Sequence, residues 1–102
     1  ASLVIAERVS KFSKQYGFTP NQVKISSAKT RWGSCSGNGN LNFTWRLIMA
    51  PLEVVDYVVV HELVHLHVKD HSRNFWGNVE GIMPEYKMHR KWLRENGGRL
   101  GL

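Results

Sequence analysis

Five consecutive residues, His61-Glu62-Leu63-Val64-His65, combine two imidazoles and a carboxylate at a spacing with a chemical use. On an α-helix, positions four apart are separated by about 400° of rotation, so His61 and His65 stand one above the other on a single face. Two imidazoles so placed can bind one metal ion. Glu62, next to the first of them, can reach a metal-activated water without being a ligand itself. The pattern is HExxH, and a helix carrying two histidines with no chemical duty is the weaker reading of it.

A catalytic zinc is usually held by three protein ligands and a water, so a third ligand has to be found. His67, His71, Glu80, Glu85 and His89 are the candidates. His67 lies about 200° round the helix from His65 and points away from the metal face, as a surface or packing histidine would. His71 would also miss that face if the helix ran straight on. Asp70, His71 and Ser72 are poor interior helix residues and Ser72 is a good N-cap, so the chain is expected to turn here and swing His71 back. His71 is therefore preferred. Glu80, on the next expected helix, is the alternative that a His-His-Glu site would use.

The elements that must position these residues can be read from the hydrophobic pattern. Pro51 suits a first helical residue, and Glu53 and Asp56 lie near the positive end of the helix dipole, so the HExxH helix is expected over about 52–69. The run Val58-Val59-Val60 favours strand by propensity, a small preference that burial overrides. Ile5, Val9, Phe12 and Tyr16 mark an N-terminal amphipathic helix over 2–16, stopped by Gly17. Val23-Lys24-Ile25-Ser26 alternates as a short strand with its apolar side to the core. Residues 29–50 read as a hairpin about Gly37-Asn38-Gly39-Asn40, its second arm carrying the alternation Leu41, Phe43, Trp45, Leu47. That arm leads into the metal helix and so lies close to the metal, and its free edge could pair with an extended peptide. Phe75, Trp76, Val79 and Met83 give a helical core stripe over 72–83, and Pro84 opens a last helix ending at Gly97-Gly98. Arg31 and Arg46 are candidates for binding substrate carboxylates or phosphates, though exposed arginines are more often merely solvated.

The chain has 102 residues, 42% of them hydrophobic, enough for one domain with a modest core. With Cys35 the sole cysteine, an internal disulfide and a multi-thiolate metal site are both excluded, and a reducing cytoplasm is the default expectation. A thiol nucleophile pairing Cys35 with a histidine is disfavoured, because nothing marks that cysteine as activated. There is no apolar run of the roughly 20 residues that span a bilayer. The net charge of +6 favours acidic partners but says nothing about fold.

Four blocks in order, Arg31-Trp32-Gly33-Ser34-Cys35-Ser36, Trp45-Arg46-Leu47-Ile48-Met49-Ala50-Pro51, the HExxH stretch and His71-Ser72-Arg73-Asn74-Phe75-Trp76, resemble the YgjP-like metallopeptidase domain. That family is similar to the SprT-like and WLM zinc peptidases and belongs with the small zincins. The resemblance implies an α+β zincin-like domain over 1–102, in which a short, mostly antiparallel sheet of about three strands packs with an N-terminal helix, the HExxH helix and two C-terminal helices. It implies a zinc metalloendopeptidase, with His61, His65 and His71 matching the metal ligands and Glu62 the general base that works on a zinc-activated water. Peptides or proteins are then the substrates, no membrane is involved and a monomer is expected. Tyr57, Tyr86, His89 and Arg31 are candidates to stabilise the developing oxyanion, and Asp70 could orient a ligand imidazole.

Two rival readings come from other classes. A basic nucleic-acid-associated module with a structural or vestigial zinc site would account for the charge and the four tryptophans, but the basic residues are scattered and HExxH would be coincidence. A purely structural zinc site would leave Glu62 unexplained and lacks a thiolate to close the fourth position.

Overall fold

The computed structural model describes residues 2–27 and 31–97. Lys29 and Thr30 of the hairpin's first arm, and Arg99 and Gly98 at the basic terminus, lie outside them. Among the described residues the order is α1 (Ser2–Tyr16), β1 (Gln22–Ser26), β2 (Gly33–Cys35), β3 (Asn40–Thr44), a 3₁₀ helix (Trp45–Met49), α2 (Leu52–Val64), α3 (Arg73–Ile82) and α4 (Tyr86–Asn96). This is the expected α+β architecture.

α2 is the centre of the domain, packing against α1, α3, α4, the 3₁₀ helix and β2. Its valines explain how it tolerates residues of low helix propensity. Val54, Val55, Val58, Val59, Val60 and Val64 are all buried, so the helix is covered almost all round. Each buried valine contributes about 1.5 kcal/mol or more, whereas its propensity deficit is about 0.7 kcal/mol or less. α1 lays Ile5, Val9 and Phe12 into the core, and Arg8 forms a two-point ion pair with Asp56 of α2 at 2.6 and 2.7 Å. It ends at Gly17, whose φ of +76° is the left-handed geometry in which glycine is free of strain.

The sheet has the order β1-β3-β2 and is mixed. The hairpin pairs β2 antiparallel to β3 over three positions, as its Gly39 turn demands, while β1 runs parallel to β3 over five. The pairing is thus less antiparallel than the sequence suggested, because α1 and the loop after it deliver β1 to the far side of β3 in the same direction as β3. Leu41 and Phe43 face the core; Asn40 and Asn42 take the opposite face.

Two boundaries differ from expectation. β3 stops at Thr44 although the alternation runs on to Leu47. Its partner β1 ends at Ser26, opposite Thr44, so no ladder exists beyond that point. The chain turns instead into the 3₁₀ helix, with the Thr44 hydroxyl accepting from the Arg46 N–H at 3.4 Å. α2 likewise stops at Val64 rather than near residue 69. Its last turn tightens through bonds from Leu66 N–H to Leu63 O and from His67 N–H to Val64 O, both 3.0 Å. This early stop frees the chain to bring residue 71 back over the helix end. Among the described residues, no helix is long and apolar enough to cross a membrane.

Candidate metal centre

His61 lies in the last turn of α2 and His65 caps it, one turn apart on the same face, their ring centroids 4.8 Å from each other. The returning loop carries His71, whose Nε2 comes to 3.1 Å from Nε2 of His65. Each of the three offers a ring nitrogen, and these atoms lie within 4.8 Å of one another. At zinc–nitrogen distances of about 2.0–2.1 Å, tetrahedral ligands stand roughly 3.3–3.4 Å apart. The three nitrogens are therefore gathered closely enough to converge on an ion of that kind.

Local contacts set the rings. The Nδ1–H of His65 donates to the carbonyl of Val68 at 2.9 Å, which fixes the tautomer and leaves Nε2 with its lone pair. A backbone carbonyl takes the orienting role for which Asp70, which is exposed, is a candidate in the sequence. Ser72 caps α3, its hydroxyl accepting from Phe75 N–H at 3.3 Å, and so fixes where His71 sits. Phe75 is fully buried and stacks on His65 at 4.3 Å, and Trp76 stacks on His71 at 5.9 Å. Desolvation, followed by the neighbouring His61 and His65, holds the His71 imidazole below its ordinary pKa, keeping it neutral and able to donate a lone pair. Sequence reasoning placed Phe75 and Trp76 in a core stripe; their position four and five residues after His71 is the signal that they also wall the metal centre.

The Glu62 side chain is only 7% exposed, and its Oε2 accepts from His61 Nδ1–H at 3.2 Å. Opposite it lies β2. A Cβ on Gly33 would stand 3.1 Å from Cγ of Glu62 and 3.0 Å from Phe43 Cδ1, so any other residue here would have to push the Glu62 stem or the Phe43 ring aside by a few tenths of an ångström. β3, expected to offer a free edge, is paired on both sides; the edge strand is β2, and a groove of about 290 Å³ runs along it past Ser34, Cys35, Glu62 and the three histidines.

The chain belongs to the YgjP-like metallopeptidase domain family. Its family model matches residues 1–96, including the four blocks that carry the resemblance. The fold is similar to that in the crystal structure of the metallopeptidase zymogen of Pyrococcus abyssi abylysin, with a TM-score of 0.76 over 89% of this chain and 93% of that one. At 22% identity that likeness is one of fold. Among curated proteins none matches.

Within this YgjP-like domain the other sequence candidates fall away from the cluster. His67 is exposed and packs on Phe18, with ring centroids 5.4 Å apart. Glu80 is exposed on α3 and is not among the metal-holding group. His89 is buried on α4, 3.9 Å from Glu85, so neither joins the three histidines. Burial pushes the Cys35 thiol up, with Lys69 opposing and Glu62 adding to the rise, which is the reverse of an activated nucleophile. Tyr86 is buried against Trp76 at 5.3 Å. Tyr57 lies edge-on to His61 at 5.9 Å, its hydroxyl pushed up to about 12 chiefly by burial.

The groove does not end at Glu62. It continues past Arg31, Gly33 and His61 into a cleft of about 310 Å³ between α2, α4 and the start of β2. Trp32, Tyr57, Val58 and Leu93 give it apolar walls, and Arg31 and Arg90 stand at it.

Proposed function

We propose that this metallopeptidase domain is a zinc-dependent endopeptidase in which His61, His65 and His71 hold the metal and Glu62 is the general base. A zinc ion held by three imidazoles would supply Lewis acidity, lowering the pKa of a water to near ~7 and polarising the scissile carbonyl. The observation that carries the reading is Glu62 itself, a carboxylate with almost no exposure, beside the donor cluster yet outside it, opening onto a groove.

Glu62 takes the proton of the attacking water and returns it to the leaving amine; its burial and its bond to His61 hold the carboxylate on the side from which the water must approach. The free edge of β2 aligns an extended peptide by main-chain hydrogen bonds, with Gly33 letting the substrate backbone come close to Glu62. Phe75 and Trp76 keep solvent from the far side of the imidazoles. A peptide or an unfolded protein is the substrate class, since an edge strand reads main chain before side chain.

Casein hydrolysis before and after removal of metal by a chelator, followed by addition of one equivalent of zinc, tests this. Cleavage that disappears with the metal and returns with zinc supports the reading. Cleavage indifferent to the chelator, or no cleavage by the zinc-loaded protein, defeats it.

A further inference from the structure

The cleft beyond Glu62 has a composition that the hydrolytic site does not require. Its walls are apolar, yet two arginines line it, Arg31 from the start of the hairpin and Arg90 from α4. These two segments are far apart in sequence. Among the described residues neither makes an ion pair with an acidic side chain. Arg90 lies over the Trp76 ring at 4.8 Å, and Trp76 in turn stacks on Tyr86 at 5.3 Å, so an aromatic face favours one placement of its guanidinium. A planar fork placed over a ring and lacking an acidic partner matches a carboxylate. The apolar walls match a short hydrocarbon stem.

We infer that this cleft is a specificity pocket that takes a substrate carboxylate on an apolar stem, with Arg31 and Arg90 as the residues that recognise the charge. The inference rests on the peptidase reading only in calling the occupant a substrate; the recognition chemistry belongs to the cleft. An acidic side chain beside the scissile bond and the terminal carboxylate of a short peptide present the same group. Because His61 and Glu62 line both the cleft and the groove, an occupant of the cleft is connected directly to the bond that Glu62 would attack.

The test uses one peptide sequence carrying Glu, Gln, Leu or Lys next to the cleaved bond, each with a free or an amidated C-terminus. Two readouts are taken: kcat/KM with the zinc-loaded protein, and equilibrium binding to Glu62→Gln followed by tryptophan fluorescence, since Trp32 forms a wall of the cleft. A carboxylate preference of about tenfold, equivalent to about 1.4 kcal/mol, is expected in both. It appears as Glu over Gln if the side chain is the source, or as free acid over amide if the terminus is. In the Arg31→Gln/Arg90→Gln double variant the ratio falls to near one, and Arg90→Glu shifts it towards Lys. Lys91→Gln, on the same helix but about 100° round it from Arg90 and not among the residues lining the cleft, keeps the wild-type ratio, and thermal unfolding of each variant checks its fold. A ratio under twofold in the wild type, or one that survives the double variant, overturns the inference. Arginine-dependent binding without cleavage of any peptide upholds the cleft and sinks the peptidase reading, whereas cleavage without preference does the opposite.

Discussion

His65 and His71 sit on different elements, yet their Nε2 atoms stand 3.1 Å apart. That proximity arises because α2 stops at Val64, and the loop that follows is fixed at both ends, by the bond from His65 Nδ1–H to Val68 O and by the Ser72 cap of α3. Zinc K-edge absorption of the wild type is expected to fit three imidazole nitrogens at about 2.0–2.1 Å. His71→Ala should lose one of them and weaken zinc binding by more than about a hundredfold, beyond the range typical of groups that only orient a ligand. An unchanged imidazole count in His71→Ala would assign the third ligand elsewhere.

Gly33 makes a separate claim on the Glu62 carboxylate. The Cβ of Gly33→Ala meets Phe43 Cδ1 at 3.0 Å, Glu62 Cγ at 3.1 Å and the Asn42 carbonyl at 3.3 Å, and the last is backbone of β3, a strand paired on both sides, while the Phe43 ring is fully buried. A loss of about 1–3 kcal/mol in urea unfolding is expected, in line with overpacking elsewhere. Activity should fall further than stability accounts for, with zinc content unchanged. Wild-type hydrolysis by Gly33→Ala would show that the approach of β2 to Glu62 is not needed.

The pair Arg8 and Asp56 ties α1 to the central helix through two short hydrogen bonds, with side chains 17% and 12% exposed. The Asp56 bond, the first cause, holds the Arg8 guanidinium above its ordinary pKa. Arg8→Ala leaves the Asp56 carboxylate without that partner and is expected to cost about 1–3 kcal/mol, less than a fully buried pair would. The double variant Arg8→Ala/Asp56→Ala should recover part of that loss. Additive losses in the double-mutant cycle would mean that the two groups do not interact.

Burial raises the Tyr57 hydroxyl from its ordinary value of 10 to about 12. The folded state then holds this proton more tightly than the unfolded state, so the contribution to stability is complete below about pH 10 and is lost as pH rises towards 12. Unfolding of the wild type and of Tyr57→Phe, compared between pH 8 and 11.5, should show the wild type losing ground to the variant only above pH 10. A constant difference across that range would mean that Tyr57 titrates normally.

The clustering of the three histidines was legible because one helical turn puts His61 and His65 on one face, and because Asp70 and Ser72 signal a break before and after His71. α1, α3 and α4 followed from periodicity and capping, α1 ending as expected at Tyr16 and Gly17, whereas α2, buried almost all round, was legible through its histidine spacing and its end at Val64 was not. Sheet direction was not legible, since β3 can pair either way and the path of the chain after α1 decides it. Nor was the end of β3: the alternation through Trp45 and Leu47 looks the same whether or not a partner strand continues, and β1 runs out opposite Thr44. That Arg31 and Arg90 line one cleft depends on tertiary packing, and no local pattern encodes it.

The most direct test is hydrolysis of casein by the wild type and by Glu62→Gln, with zinc measured in the same samples. Near one zinc per chain is expected in both proteins. Cleavage is expected in the wild type alone, because the variant keeps the three imidazoles and lacks the base. If Glu62→Gln cleaves as the wild type does, or if the zinc-loaded wild type cleaves nothing, the assignment of Glu62 as general base of a zinc peptidase is contradicted.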